Sequence, residues 1–308
     1  MSEATLPIIH KPQGLHAFSL QDFLQEDFPH RGFLLSPIIH EQGLTMLYAY
    51  RGVGKTLLAL AIALAVASGN KLFHWLCSEP RGVLYIDGEM SAQALQERLR
   101  ALALGAGIDI QATRLRIITP DTQELPMPNL AQEAGQRLIE PHLEGVSLVV
   151  VDNLACLCSA GKENETESWV PVQRWLLNLK RRGISTLAVH HAGKSGEQRG
   201  TSAREDVMDS VVSLKHPEDY QPQEGARFEV HIKKSRNVAG DVIAPFEAQL
   251  RQDGDSFLWS QSPIHDPQRE EVRELAEKGK SVRAIALETG LSRSKVHRLL
   301  QKEQQHSL

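Results

Sequence analysis

The chain has 308 residues, enough for one large α/β domain and a small second module. It is 41% hydrophobic and 23% charged, with a net charge of −4 and a sequence pI of about 6.4; this excludes a protein that coats nucleic acid with its whole surface, but not a local basic patch. Three cysteines (Cys77, Cys156, Cys158) make no disulfide framework and lack zinc-site spacing, no signal pattern opens the chain, and the longest apolar run, residues 57–67, is shorter than the roughly 20 residues of a bilayer span, so a cytoplasmic protein off the membrane is expected.

Residues 1–42 are a polar start and then a mixed segment with Phe18, Phe23, Phe28 and Phe33 as aromatic anchors, punctuated by Pro29 and Pro37. This segment reads either as a helical arm, on the main domain or a neighbouring subunit, or as a cover for the core. From Gly43 the pattern changes to short apolar strands alternating with helices. Strands are expected at 44–48, 83–86, 115–118, 147–151 and 184–189. Helices are expected at 56–68 with Gly69-Asn70 as its stop, at 92–103 after a Ser91 cap, at 130–143, and at 168–182 before Gly183. The strands are continuous apolar runs, which points to a mainly parallel sheet covered on both faces. After 211–214 come strand-like stretches at 227–232, 242–246 and 256–260 that extend the sheet.

Between the first strand and its helix stands Ala49-Tyr50-Arg51-Gly52-Val53-Gly54-Lys55-Thr56, with Leu57 following. It fits the phosphate-binding loop G-x-x-x-x-G-K-[ST], with Ala49 at the first glycine, and has the strand before and helix after that this motif requires. Gly52 and Gly54 let the backbone curl so that its N–H groups face phosphates. Lys55 brings a charge to the β- and γ-phosphates, Thr56 offers a hydroxyl to Mg²⁺, and the helix N-terminus adds its dipole. ATP and Mg²⁺ are the expected ligands. The apolar strand 148–152 ends in Asp152, a carboxylate suited to hold the Mg²⁺ water shell. Leu84-Tyr-Ile-Asp-Gly-Glu89 ends another strand; Glu89 could polarise the attacking water, with Asp87 as its competitor.

The phosphate loop, the Glu89 segment, the strand ending Asp152-Asn153 and the strand ending Val189-His190-His191 occur in an order that resembles the RecA-like ATPases, a P-loop NTPase fold, over roughly residues 40–250. The order especially resembles the hexameric replicative helicases of the plasmid RepA and DnaB kinds. It implies that His190 or His191 senses the γ-phosphate, with His190 preferred. Lys234-Ser235-Arg236 resembles the K-x-R motif that these enzymes insert into a neighbour's site. Residues two apart on a strand share a face, so Lys234 and Arg236 could reach one γ-phosphate in trans. The same likeness places single-stranded DNA against loops carrying Lys162, Lys194 and Arg199, although these loops lack aromatic residues for stacking.

Two prolines in 262–268 mark a linker between a main domain at 41–261 and a C-terminal module at 269–308; residues 1–40 form the N-terminal segment. Residues 282–300 read as a helix-turn-helix resembling that of resolvases, after a helix at 270–278. Gly290 makes the turn, and Ile285, Ala286, Leu291, Val296, Leu299 and Leu300 form a small core. A recognition helix starting at Ser292 would show Arg293, Ser294, Lys295, His297 and Arg298 to the major groove. Across 281–308 five Lys or Arg stand against two Glu. The composite expectation is a homo-oligomeric, DNA-dependent ATPase, a hexameric helicase of a plasmid or mobile element; the alternatives are an ATP-controlled DNA-bound regulator and a repair or recombination accessory.

Overall fold

The computed structural model describes residues 15–158, 166–191, 203–264 and 267–304. The chain forms two compact units that divide between Gly32 and Phe33. In the first, α1 (Leu20–Gln25) is capped by Ser19, whose Oγ accepts the Asp22 N–H, and it buries no residue. His16, Phe18, Phe23 and Phe28 cluster around it, with edge-to-face contacts to Phe18 and a tilted Phe23–Phe28 pair. The second unit already includes residues 33–40, expected to lie in the N-terminal segment: Leu34, Leu35, Ile38 and Ile39 are buried in its core.

The second unit begins with the strands β1 (Phe33–Leu35), β2 (Ile39–His40) and β3 (Leu44–Ala49). Next come α2 (Lys55–Ser68), β4 (Val83–Asp87), α3 (Ala92–Gly105), β5 (Leu115–Ile118), α4 (Glu133–Ile139) and β6 (Leu148–Asp152). The short α5 (Leu154–Leu157), α6 (Thr166–Arg181), β7 (Ser185–His191), α7 (Ala203–Asp206) and β8 (Ser210–Lys215) follow. The antiparallel strands β9 (Arg227–Ser235), β10 (Phe246–Asp253) and β11 (Ser256–Pro263) close the sheet, and α8 (Pro267–Glu277), α9 (Val282–Thr289) and α10 (Arg293–Gln304) end the chain.

Nine strands form one sheet in the order β11-β10-β9-β8-β3-β7-β6-β4-β5. From β8 to β5 every pairing is parallel; from β8 to β11 every pairing is antiparallel. The parallel strands inside the sheet are buried on both faces, which is why they read as continuous apolar runs, whereas the edge strand β5 is half-buried to exposed. Successive residues alternate between two cores. Leu148 and Val150 of β6 face the α2 side, and Val149 and Val151 face the α6 side. Helix α2 is apolar almost all round and buries eleven of its 14 residues. Gly69 closes it in the left-handed conformation, its N–H bonding Ala65 O, and Ser91 caps α3 through Ala94 N–H, both as expected. In α6, Trp169, Val172, Leu176 and Leu179 make the buried stripe.

Three expectations need correction. Residues 242–246 are not a strand: Asp241–Ile243 is a 3₁₀ turn, and β10 begins only after Pro245, whose ring lacks the N–H a ladder needs. The helix expected over 130–143 is α-helical only from Glu133 to Ile139, because Pro141 tightens its end into 3₁₀ geometry. The linker expected at 262–268 is shorter, since β11 runs to Pro263 and α8 starts at Pro267.

The last three helices have a core of their own. Val272, Leu275, Ile285, Val296 and Leu299 are buried together, with Ala286, Leu291 and Leu300 against them. Ser281 caps α9, and Gly290 at φ 69° closes it. Among the described residues no helix is long and apolar enough to cross a membrane.

Candidate nucleotide site

Because β3, β4, β6 and β7 run parallel, their C-terminal ends meet at one edge of the sheet. Ala49, Asp87, Asp152 and His191 are therefore neighbours although far apart in sequence. A cavity of about 460 Å³ opens there, lined by Arg51, Lys55, Thr56, Glu89, Arg98, Asp152, Asn153 and His191. A larger cavity of about 680 Å³, between the C-terminal ends of α2 and α3 and strand β11, has Lys71 as the only charged lining residue among the described residues, which offers little for phosphate chemistry.

The loop from Tyr50 to Gly54 turns the chain from β3 into α2. Gly52 and Gly54 take φ of 83° and 122°, values that L side chains resist. Gly54 is also crowded: a Cβ there would lie 2.7 Å from Phe228 Cε1. Ala49 is the last residue of β3, paired with His191 and Leu214, so its methyl group costs the loop nothing. Val53 is buried beneath the loop, and Tyr50 and Arg51 are exposed.

Lys55 is 5% exposed. Its Nζ donates to Ala49 O at 3.0 Å and Tyr50 O at 2.9 Å. Burial pulls its pKa down to about 8, against the opposing pull of the Asp152 and Glu89 carboxylates. Asp152 is buried at the foot of the cavity; Tyr85 Oη donates to its Oδ2 at 2.6 Å, and the Thr56 hydroxyl also hydrogen-bonds it. Burial raises the Asp152 pKa, and these hydroxyl bonds work against the rise.

The two carboxylates after β4 have different surroundings. Asp87 is buried; it accepts from Thr119 Oγ1 at 2.8 Å and from the Met90 and Glu89 backbone N–H groups. Those bonds commit it to holding the turn. Both carboxylates line the cavity, but Glu89 is exposed there, and its Oε2 accepts from Asn153 Nδ2 at 2.7 Å. The geometry favours Glu89 as the carboxylate facing a ligand.

His190 does not reach the cavity, contrary to its expected sensor role. Alternation along β7 turns it to the α6 side with Ala188, where it is 1% exposed and lies 3.0 Å from Arg204 Nη1 through Nε2. A guanidinium only donates, so that ring nitrogen accepts. Arg204 in turn lies over the Trp169 ring. His191, one residue on, lines the cavity instead.

Lys234 and Arg236 sit at the opposite edge of the sheet. β9 runs antiparallel to β8 and pairs Ser235 with Ser210, where the parallel strands begin. Both side chains converge on Asp206 O, at 3.3 Å from Lys234 Nζ and 3.2 Å from Arg236 Nη2. Arg236 follows the last residue of β9, and neither side chain lines its own chain's cavity. Lys162, Lys194 and Arg199 lie outside the described residues. On α10, Arg293, Ser294, His297 and Arg298 are exposed, and Lys295 is half-buried with its Nζ 2.6 Å from Gln268 Oε1.

Three residues of the site escape a reading of motifs. Tyr85 left a signal, since a tyrosine inside an apolar strand needs a partner for its hydroxyl. Asn153 stands beside Asp152 in sequence. Arg98 of α3 left none; it enters the cavity and reaches Met90 Sδ at 3.6 Å.

A family model described as an AAA domain matches residues 10–197. The solved structure of a KaiC-like protein from the hyperthermophilic archaeon Pyrococcus horikoshii OT3 is similar with a TM-score of 0.52 at 14% identity, covering 74% of this chain and 93% of that one. That likeness is one of fold: a RecA-like α/β architecture with a mainly parallel sheet. No curated protein matches the chain.

Proposed function

The chain belongs to the AAA domain family of ATPases, and on that premise we propose that it is an oligomeric, DNA-dependent ATPase, a replicative-type helicase of a plasmid or other mobile element, that hydrolyses ATP at subunit interfaces. The observation that carries this reading is the division of the catalytic groups between two edges of one sheet. Lys55, Thr56, Asp152 and Glu89 converge at one edge, and Lys234 and Arg236 pair up at the other.

The donor set fits Mg²⁺. The Thr56 hydroxyl and the Asp152 carboxylate already touch, and hard cations take oxygen ligands. When bound, the ion neutralises charge on the phosphoryl oxygens. Lys55 exchanges its loop carbonyls for phosphate oxygens. Glu89 orients the attacking water and takes its proton. Arg98, whose hydrogen-bond partner among the described residues is the Met90 sulfur, has donors left for phosphate. His191 reports the γ-phosphate to the chain beyond β7. A guanidinium from a neighbour, Arg236, stabilises charge on the transferring group, with Lys234 beside it. Heterologous contacts of this kind close most simply into a ring, a hexamer in this reading. Lys194 and Arg199 serve single-stranded DNA, and the three-helix module serves duplex DNA as a helix-turn-helix.

A second reading keeps the ATPase without unwinding, as an ATP-controlled DNA-bound regulator. The separate core of α8–α10 and the exposed basic side chains of α10 favour it. Turnover measured with and without single-stranded DNA, beside strand displacement on a forked duplex, separates the two. The helicase reading requires both stimulation and displacement. Stimulation without displacement leaves the regulator, and turnover indifferent to DNA removes both.

A further inference from the structure

Asn153 follows Asp152 at the end of β6 and is 2% exposed. Two bonds fix which end of its amide is which. The Cys156 N–H donates to Oδ1 at 3.2 Å, capping α5. Nδ2 is therefore the atom that meets Glu89 Oε2 at 2.7 Å; the flipped amide would set donor against donor at α5 and oxygen against carboxylate at Glu89. Glu89 is held at its backbone too, where its N–H donates to Asp87 Oδ1 at 3.3 Å. Consecutive residues of one strand end thus hold two different groups of the cavity: Asp152 the Thr56 hydroxyl, Asn153 the Glu89 carboxylate.

We infer that Asn153 is a positioning residue for hydrolysis, tying the Glu89 carboxylate to the rigid β6–α5 junction so that it stays aimed into the cavity. The inference rests on Glu89 acting as the water-activating base. A glutamate side chain has several free torsions, and misplacing a reacting group by about 1 Å can cost on the order of a hundredfold in rate. A charge-assisted bond from a donor that is itself locked removes that freedom.

Asn153→Ser tests this, because serine keeps a capping oxygen for α5 but is too short to reach Glu89. The kcat for ATP falls roughly ten- to a hundredfold, while KM and the unfolding temperature stay at wild-type values. In a Glu89→Gln background the same substitution slows turnover no further, since its effect acts through that carboxylate. Wild-type kcat in Asn153→Ser, or a full additional loss in the double variant, overturns the inference. Wild-type turnover in Glu89→Gln alone is a different failure: it removes Glu89 as the base, and Asn153's role with it.

Discussion

Lys55 carries its charge where burial resists it. Its pKa of about 8 has burial as the largest cause, with Asp152 and Glu89 pulling the other way and Arg51 adding to the fall. A polyphosphate favours the protonated amine, so Lys55 titrates higher in the ATP-bound protein than in the free one. Below about pH 8 the free protein already holds the proton, and binding takes up none. Above it, each binding event must bring one. Affinity therefore falls as pH rises, by up to about tenfold per unit until the bound-state pKa is reached. Calorimetry with a non-hydrolysable ATP analogue, in buffers of different ionisation enthalpy, reads both the affinity and the proton uptake. A level affinity with no uptake between about pH 7 and 9 would contradict the assignment of this lysine to the phosphates.

At the next scale, the loop and the helices explain what was legible. Strands β3, β4, β6 and β7 were readable because each is buried on both faces and carries a continuous apolar run. β10 was misplaced because an outer antiparallel strand, Phe-Glu-Ala-Gln-Leu-Arg-Gln-Asp, buries little of itself, whereas the apolar residues before Pro245 looked more like a strand. The histidine pair failed on parity: composition marks a strand end, but only the sheet says which residue faces α2. Gly54 depends on both local and distant structure. Its φ of 122° and the contact with Phe228 from β9 predict that Gly54→Ala loses roughly 1–3 kcal/mol of stability and most ATP binding, by thermal unfolding and analogue titration. Gly52→Ala has the same backbone problem but open space around the new methyl, so its unfolding temperature falls less. The C-terminal helices stand on five buried residues, and Ile285→Ala leaves a cavity worth about 2–5 kcal/mol in that core. Hydrogen exchange should show α8–α10 opening while α2 and the inner strands remain protected and basal ATP turnover holds. Loss of basal turnover would mean that the module braces the ATPase.

At the scale of the whole molecule, the topology sets what one chain can do alone. Nucleotide groups sit where the parallel strands end, and Lys234 and Arg236 sit where they begin, so the length of the strands separates them. The Asp206 carbonyl they share and the Asp209 carboxylate, 3.6 Å from Arg236 Nη1, hold the pair together at that edge. If a neighbour uses this pair, an Arg236→Ala chain retains a sound cavity and lacks only what it gives away. A Lys55→Ala chain has the converse defect. Each homo-oligomer should bind DNA yet turn over ATP at least roughly a hundredfold more slowly than wild type. Mixed in equal amounts and allowed to exchange subunits, the two chains should recover activity, because about a quarter of the head-to-tail interfaces then join an intact cavity to an intact arginine. Recovery should vanish if the mixture is diluted below the assembly concentration. A mixture no faster than its components, with exchange verified by a fluorescent label on each chain, would mean that Arg236 does not act on a neighbour, and the edge at β9 would then need another explanation for its paired cations.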